Sequence, residues 1–110
     1  MLNQIVLVGR LTKDLQVKEE NNKKVVELTL AIPRSFKNAE GVYETDFVEV
    51  KIWDAVASNT KEYCKKGDIL GVEGRLQSEV KEDKKGNKVY TTVVIAEKVT
   101  FLSSRPKESE

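Results

Sequence analysis

The stretch D-F-V-E-V-K-I-W, from Asp46 to Trp53, decides the fold of this chain because it alternates as a β-strand does. Side chains of a strand point to opposite faces in turn, so Val48, Val50 and Ile52 share one aliphatic face. This face predicts a core. The other face predicts a surface that either stacks nucleic-acid bases or packs against a second layer or a partner subunit. Its residues are Phe47, Glu49, Lys51 and Trp53.

Composition restricts the class of protein. The 110 residues, 39% of them hydrophobic, suffice for one domain. The chain has no histidine and one cysteine, Cys64, which excludes a Cys/His zinc site, a histidine-based triad and an internal disulfide. No cofactor or metal is predicted, and with no clear nucleophile–base pair we predict that the protein is not an enzyme. The net charge of +1 argues against purely electrostatic binding but permits a local basic groove.

Short apolar runs predict four strands besides the central one. Gly9, inside the first of them, indicates a point where one strand coils between two sheets. Pro33 is expected to end the second strand, because proline has no N–H for the ladder. Leu76 is placed on the core face of the fourth strand. The predicted strands are residues 2–11, 25–32, 69–78 and 89–102.

The segments between the strands have distinct characters. Residues 34–44 are predicted to be a long connection in which bases and rings interleave, as a clamp on single strands requires. The alternative is a solvated loop with Phe36 tucked into the core. Residues 55–66 have the apolar stripe and the basic last turn of a helix. Residues 103–110 are predicted to be a short polar, disordered tail.

Three strands, one helix and two strands form the plan of an all-β protein with one helix, the five-stranded OB-fold barrel. The ligand surface of that fold is the face of its second and third strands with the flanking loops. The central strand and the Phe36 loop both fall there. We therefore predict that residues 1–102 form an OB-fold domain that binds single-stranded nucleic acid.

Six motifs, in order and spacing, resemble the bacterial and phage single-stranded DNA-binding protein family over about Met1 to Leu102. The resemblance implies a non-enzymatic protein that assembles as a homotetramer and binds single-stranded DNA with little sequence preference, protecting it in replication, recombination or repair. The motifs are N-Q-I-V-L-V-G-R-L-T-K-D, A-I-P-R-S-F, T-D-F-V-E-V-K-I-W, Y-C-K-K-G-D, G-V-E-G-R-L-Q and Y-T-T-V-V-I-A-E.

The resemblance also implies site residues. It makes Phe36, Phe47 and Trp53 the base-stacking rings. It places Lys66 at a basic position after the helix and Lys37 in the basic loop beside a stacking ring. Strand geometry alone adds four candidate phosphate contacts, which are Arg10, Arg34, Lys51 and Arg75.

The chain departs from the family pattern in several places. Lys81 stands where another stacking ring is common, Gln77 and Glu79 stand at basic positions, and Glu49 lies between the two rings. Each lost cation removes a phosphate contact and should weaken the salt dependence of binding. The sequence ends in R-P-K-E-S-E. Either the family's acidic tip lies outside this sequence, or replication and repair enzymes are not recruited in that way.

The alternative is an OB-fold protein-interaction or primosome-accessory module with weak nucleic-acid binding. The near-neutral charge and the lost basic positions favour it. Steep weakening of binding by salt would indicate phosphate contacts, and salt-insensitive self-association a hydrophobic interface. The single thiol suits a reducing cytoplasm, and the short apolar runs predict no membrane segment. The resemblance implies a nucleoid-associated protein of bacterial, plasmid or phage origin.

Overall fold

A computed structural model of the protein describes residues 1–15, 17–54, 57, 60 and 64–102. The predicted fold class is confirmed, since these residues are almost entirely β and form a closed five-stranded barrel. Most of the predicted helix and the whole predicted tail lie outside the described residues. In the described part of the chain, no helix has the length and apolar character needed to cross a membrane. The described strands are β1 (Ile5–Leu11), β2 (Val17–Glu20), β3 (Lys23–Lys37), β4 (Tyr43–Trp53), β5 (Ile69–Glu82) and β6 (Lys88–Phe101).

The barrel closes through β1. The strands pair in the order β1-β5-β6-β4-β3, and β1 pairs again with β3. Along β1 the partner is β5 from Ile5 to Arg10 and β3 at Arg10 and Leu11. β4 and β6 run parallel, whereas the other pairs are antiparallel. Short β2 pairs with β3 and extends the sheet beyond the barrel.

The inner faces of the strands fill the barrel. Val50 and Ile52 are buried and Val48 packs against them, which confirms the predicted core face of β4. Burial of an aliphatic side chain of this size contributes about 1.5–3 kcal/mol. Further core side chains come from the neighbouring strands and the connection after β4, among them Leu11, Leu28, Leu30, Ala57, Leu70, Val72 and Val94.

Two glycines permit the close strand crossings that closure needs. A Cβ atom on Gly74 would lie 1.9 Å from the carbonyl oxygen of Ile95, where the β5–β6 register shifts. A Cβ atom on Gly9 would lie 2.8 Å from Cγ1 of Ile32. Because β1 passes from β5 to β3 beside Gly9, the interpretation of this glycine as a point serving two sheets is confirmed.

The β3–β4 hairpin is longer than predicted. Pro33 does not end β3 but pairs with Thr45, and a bulge follows directly after it. Proline is tolerated at such irregular positions because the ladder is already interrupted there. The predicted connection of residues 34–44 therefore shrinks to a turn of residues 38–42. In this turn the Asn38 side chain accepts two backbone N–H bonds, at 2.9 and 3.0 Å.

β5 and β6 continue past the barrel as a hairpin arm. The prediction that Leu76 faces the core is wrong, because its side chain is exposed. Alternation places it on the same face as Val72, but β1 pairs with β5 only as far as Gly74, so Leu76 lies beyond the cover of that strand. The Leu76 backbone instead exchanges two hydrogen bonds of 2.8 Å with the side chain of Asn3.

Gly74→Ala should destabilise the protein by about 3 kcal/mol or more, since the new methyl group meets backbone and the strands must move apart. Gly71→Ala on the same strand is the matched control, because its nearest atom is the side-chain Cδ1 of Leu102 at 3.4 Å. We expect it to change stability by less than about 1 kcal/mol. Urea unfolding of both variants measures the difference, and equal losses would contradict the role given to Gly74.

Candidate nucleic-acid interface

The outer face of β4 has three aromatic side chains in line. Tyr43, Phe47 and Trp53 are all odd-numbered and therefore share this face. Phe47 is 67% exposed and Tyr43 56%, whereas Trp53 is half-buried. At about 3.3 Å per residue, Tyr43 and Phe47 are about 13 Å apart, and Phe47 and Trp53 about 20 Å apart. The three rings are thus well separated along one strand.

The cross-strand neighbours explain why the rings differ in exposure. Phe47 lies opposite Ala31 of β3, whose small side chain leaves the ring open to solvent. Trp53 lies opposite Val25, which is fully buried although it is on the outer face. The Trp53 end of β4 is therefore packed, and the Phe47 end is the more accessible one.

Phe36 lies in the bulged segment of β3 and is 64% exposed. The alternative that placed this ring in the core is therefore wrong. Beside it, the Lys37 ammonium lies 5.7 Å from the centroid of the Tyr43 ring, within the range of a cation–π contact. Sequence reasoning did not assign Tyr43 to the site because it began the strand at Asp46. Extending the alternation three residues back would have found it.

Arg34 is engaged by two acids of β4. Its Nη1 lies 2.6 Å from Glu44 and its Nη2 2.9 Å from Asp46. The hydrogen bond from Arg34 holds the pKa of the Asp46 carboxyl below its usual value, and the pKa of Arg34 is raised in turn. This predicted phosphate contact therefore has carboxylate partners within the protein.

Lys51 and Arg75 are engaged in the same way. The Lys51 ammonium lies 2.9 Å from Glu79, and Nη1 of Arg75 donates a 2.9 Å hydrogen bond to Gln77. Arg75 also has a carboxylate of Glu97 at 3.8 Å. Three of the six predicted cations are thus balanced by neighbouring acids.

The other three predicted cations are not balanced by ion pairs of this kind. In the part of the chain that the structure describes, the side-chain cations of Arg10, Lys37 and Lys66 have no carboxylate within 4.0 Å. The Lys66 backbone N–H does donate to the Asp14 carboxylate at 2.8 Å. Arg10 donates to the carbonyl oxygen of Gly67 at 2.7 Å, which brings it to the turn that contains Lys66. Arg10 also pairs with Ala31, the neighbour of Phe47, so its strand position adjoins the exposed ring.

Cys64 is not poised for nucleophilic chemistry. Burial, with a contribution from the charge of Asp68, raises the pKa of its thiol to about 12. The thiol is therefore protonated near neutral pH, and the thiolate is the reactive form. Among the described residues no group of His, Cys, Asp and Glu side chains is arranged to hold a metal ion.

The strand order and the exposed face of β4 together define an OB-fold barrel with exposed aromatic side chains on the surface that this fold uses for ligands. The chain belongs to the single-strand binding protein family, whose model matches residues 2–102. It is 45% identical over 109 residues to Single-stranded DNA-binding protein B of Bacillus subtilis, covering 98% of this chain and 96% of that protein. The predicted family is thereby confirmed.

Other relatives extend further than this chain. Single-stranded DNA-binding protein 2 of Staphylococcus aureus is 44% identical over 106 residues, which cover 96% of this chain and 76% of that protein. The Single-stranded DNA-binding protein of Bacillus cereus is 45% identical over 106 residues, which cover 96% of this chain and 62% of that protein. What these relatives share with the chain is therefore the barrel.

The Arg34–Asp46 pair predicts a pH dependence. Since the folded-state pKa of Asp46 is depressed, its stabilisation is complete above the ordinary Asp pKa of about 3.9 and is lost as pH falls through the folded-state pKa. Arg34→Gln should raise the pKa of Asp46 in a carboxyl NMR titration. Asp83 is the internal control, because backbone N–H groups of Asn87 and Lys85 depress its pKa. An unchanged Asp46, or an equal shift of Asp83, would refute this account.

Proposed function

We propose that this protein binds single-stranded DNA with little sequence preference, by stacking bases on the rings of β4 and the adjoining hairpin. The observation that supports it is the exposed Phe47 ring, open beside Ala31 on the ligand surface of an OB-fold. The relatives are named single-stranded DNA-binding proteins, which supports the same ligand.

Stacking explains both affinity and tolerance of sequence. Each base stacked on an aromatic ring is worth about 1–3 kcal/mol, and every base has a face to stack. Phe36, Phe47 and Trp53 are the proposed platforms, and Tyr43 is a fourth. Arg10, Lys37 and Lys66 are the proposed first phosphate contacts. The remaining candidates, Arg34, Lys51 and Arg75, would have to exchange an internal partner for a phosphate.

The proposed biological role is inferred from the proposed ligand, single-stranded DNA. We infer that the domain of residues 1–102 protects single-stranded DNA in replication, recombination or repair, in the cytoplasm and at the nucleoid. Proteins of this family bind DNA without catalysis, so membership confirms that the chain is not an enzyme. The same membership disfavours a pure protein-interaction module.

Phe47→Ala should weaken binding of an oligothymidylate of roughly eight nucleotides by about 1–3 kcal/mol, or about 5- to 150-fold. The measurement is quenching of Trp53 fluorescence on titration at low salt. An oligonucleotide of this length fits the site of one OB-fold, so assembly does not affect the result.

Tyr90→Ala is the control for the Phe47 variant. It removes a ring of similar exposure, but Tyr90 pairs with Val80 and lies on the opposite face of β6 from Val93 and Ile95. Its affinity should equal that of the unaltered protein. If the unaltered protein neither quenches nor forms a complex at low salt, single-stranded DNA is not the ligand. If Phe47→Ala binds as well as Tyr90→Ala, this ring is not a platform.

We also propose that the protein is a homotetramer. Two separate apolar patches of the described surface support self-association, the first being Val6 and Val8 of β1 with Leu102, the second Leu76, Val80 and Tyr90 on the arm. Tetramers with twofold symmetry use two different self-complementary interfaces, so two patches match that requirement.

Light scattering tests the assembly. Val6→Glu should reduce the tetramer to a dimer, because the new carboxylate lies beside Glu73 in the first patch. Tyr90→Glu should do the same at the second patch, and the two changes together should give a monomer. Val17→Glu on β2, outside both patches, should leave the assembly unchanged. A monomer in the unaltered protein would refute the proposal.

A further inference from the structure

An ion pair spans one strand of the candidate interface. Lys51 belongs to β4 and Glu79 to β5, and β6 lies between them. In the register, Lys51 lies opposite Ile95, which in turn lies opposite Arg75. Glu79 is four residues further along β5, so its side chain reaches diagonally over β6 to place a carboxylate oxygen 2.9 Å from the Lys51 ammonium.

The pair is well shielded for a surface feature. The Lys51 side chain is 12% exposed and that of Glu79 17%. Glu27 approaches the same ammonium from β3 at 3.7 Å. All three residues line a cleft of about 250 Å³, together with Glu49, Lys13 and Lys81. Limited access of water makes this attraction stronger than that of a fully exposed pair.

Lys51 keeps its charge in this setting. Burial acts to lower the pKa of its ammonium, but the hydrogen bond and charge of Glu79, with Glu20 and Glu27, outweigh burial and leave the pKa above its ordinary value. The ammonium is therefore a cation on the outer face between Phe47 and Trp53, where a bound strand would pass. Its charge is already paired with the carboxylate of Glu79.

We propose that Glu79 is an internal competitor that holds Lys51 in place of a DNA phosphate and thereby sets the affinity and the salt dependence of binding. The inference rests on the proposed function and adds to it the residue that controls one phosphate contact. Carboxylate and phosphate oxygens accept hydrogen bonds from the same ammonium protons. With Glu27 and Glu79 beside the ammonium, a phosphate meets local negative charge, so Lys51 contributes little until Glu79 is displaced.

Glu79→Gln removes the competing charge and preserves the shape of the side chain. One additional phosphate contact steepens the slope of log K against log salt by about 0.7 for a single strand. Relative to 1 M salt, that slope corresponds to roughly tenfold tighter binding at about 50 mM salt. We therefore expect Glu79→Gln to bind an oligothymidylate about tenfold more tightly at low salt, with the gain shrinking as salt is added.

Glu73→Gln is the charge-matched control. It lies on the same strand and the same face, six residues or about 20 Å from Glu79, which exceeds the screening length of about 8 Å at physiological salt. Glu73 adjoins Val6 of the first patch, so the comparison uses an oligothymidylate of roughly eight nucleotides, which fits one OB-fold. For this ligand the affinity and salt slope of Glu73→Gln should equal those of the unaltered protein. Urea unfolding and light scattering on each variant verify that fold and assembly are intact.

A double-mutant cycle separates competition from simple repulsion. Lys51→Met removes the ammonium and keeps the apolar stem. If Glu79 acts by occupying Lys51, Glu79→Gln should lose most of its gain in the Lys51→Met background. The same gain in both backgrounds, or no gain while the unaltered protein binds, would overturn the inference. Absence of binding by the unaltered protein would instead refute the proposed function itself.

Discussion

The architecture depends on the approach of one carbonyl group to one glycine. The Ile95 carbonyl oxygen occupies the position where a Cβ on Gly74 would be, at 1.9 Å, and the β5–β6 register shifts at that point. The shift lets β5 curve toward β1 while β6 continues beside β4, so that the sheet closes. It also aligns Lys51, Ile95 and Arg75 in one row across the outer face. The close approach at Gly74 therefore both allows the barrel to close and sets which side chains lie side by side on its outer face.

β4 joins the core to the interface. Its residues Val48, Val50 and Ile52 pack into the core, and Phe47 on the other face is presented outward. At Phe47, β4 pairs with β3 through Ala31, and three residues further on it also pairs with β6. A ring on a backbone fixed by such pairing loses little further freedom when a base stacks on it, which lowers the entropic cost of binding. Val48, the next residue along the strand, packs against the core on the opposite face and anchors this part of β4.

Local alternation accounts for what could be predicted. It identified the buried face of β4 and the exposed Phe47, since the period of two needs only neighbouring residues. Two predictions were wrong, that Pro33 ends its strand and that Leu76 faces the core. Where a strand ends and where the barrel ends are decided by the partner strands and not by the segment itself. The ion pairs of the site could not be predicted from the sequence for the same reason. Glu79 is 28 residues from Lys51, and only the curvature of β5 over β6 brings the two charges together.

Charge balance determines how such a surface binds a polyanion. A cation that exchanges a carboxylate for a phosphate forms one ion pair and breaks another, so the exchange yields little net free energy. Lys51 and Arg34 are in this position, and the chain as a whole is nearly neutral at +1. Stacking has no internal competitor at Phe47, whose face is open to solvent. If the protein binds single-stranded DNA as proposed, we therefore expect the rings to contribute more of the affinity than Lys51 and Arg34, and these ion pairs to reduce the effect of salt.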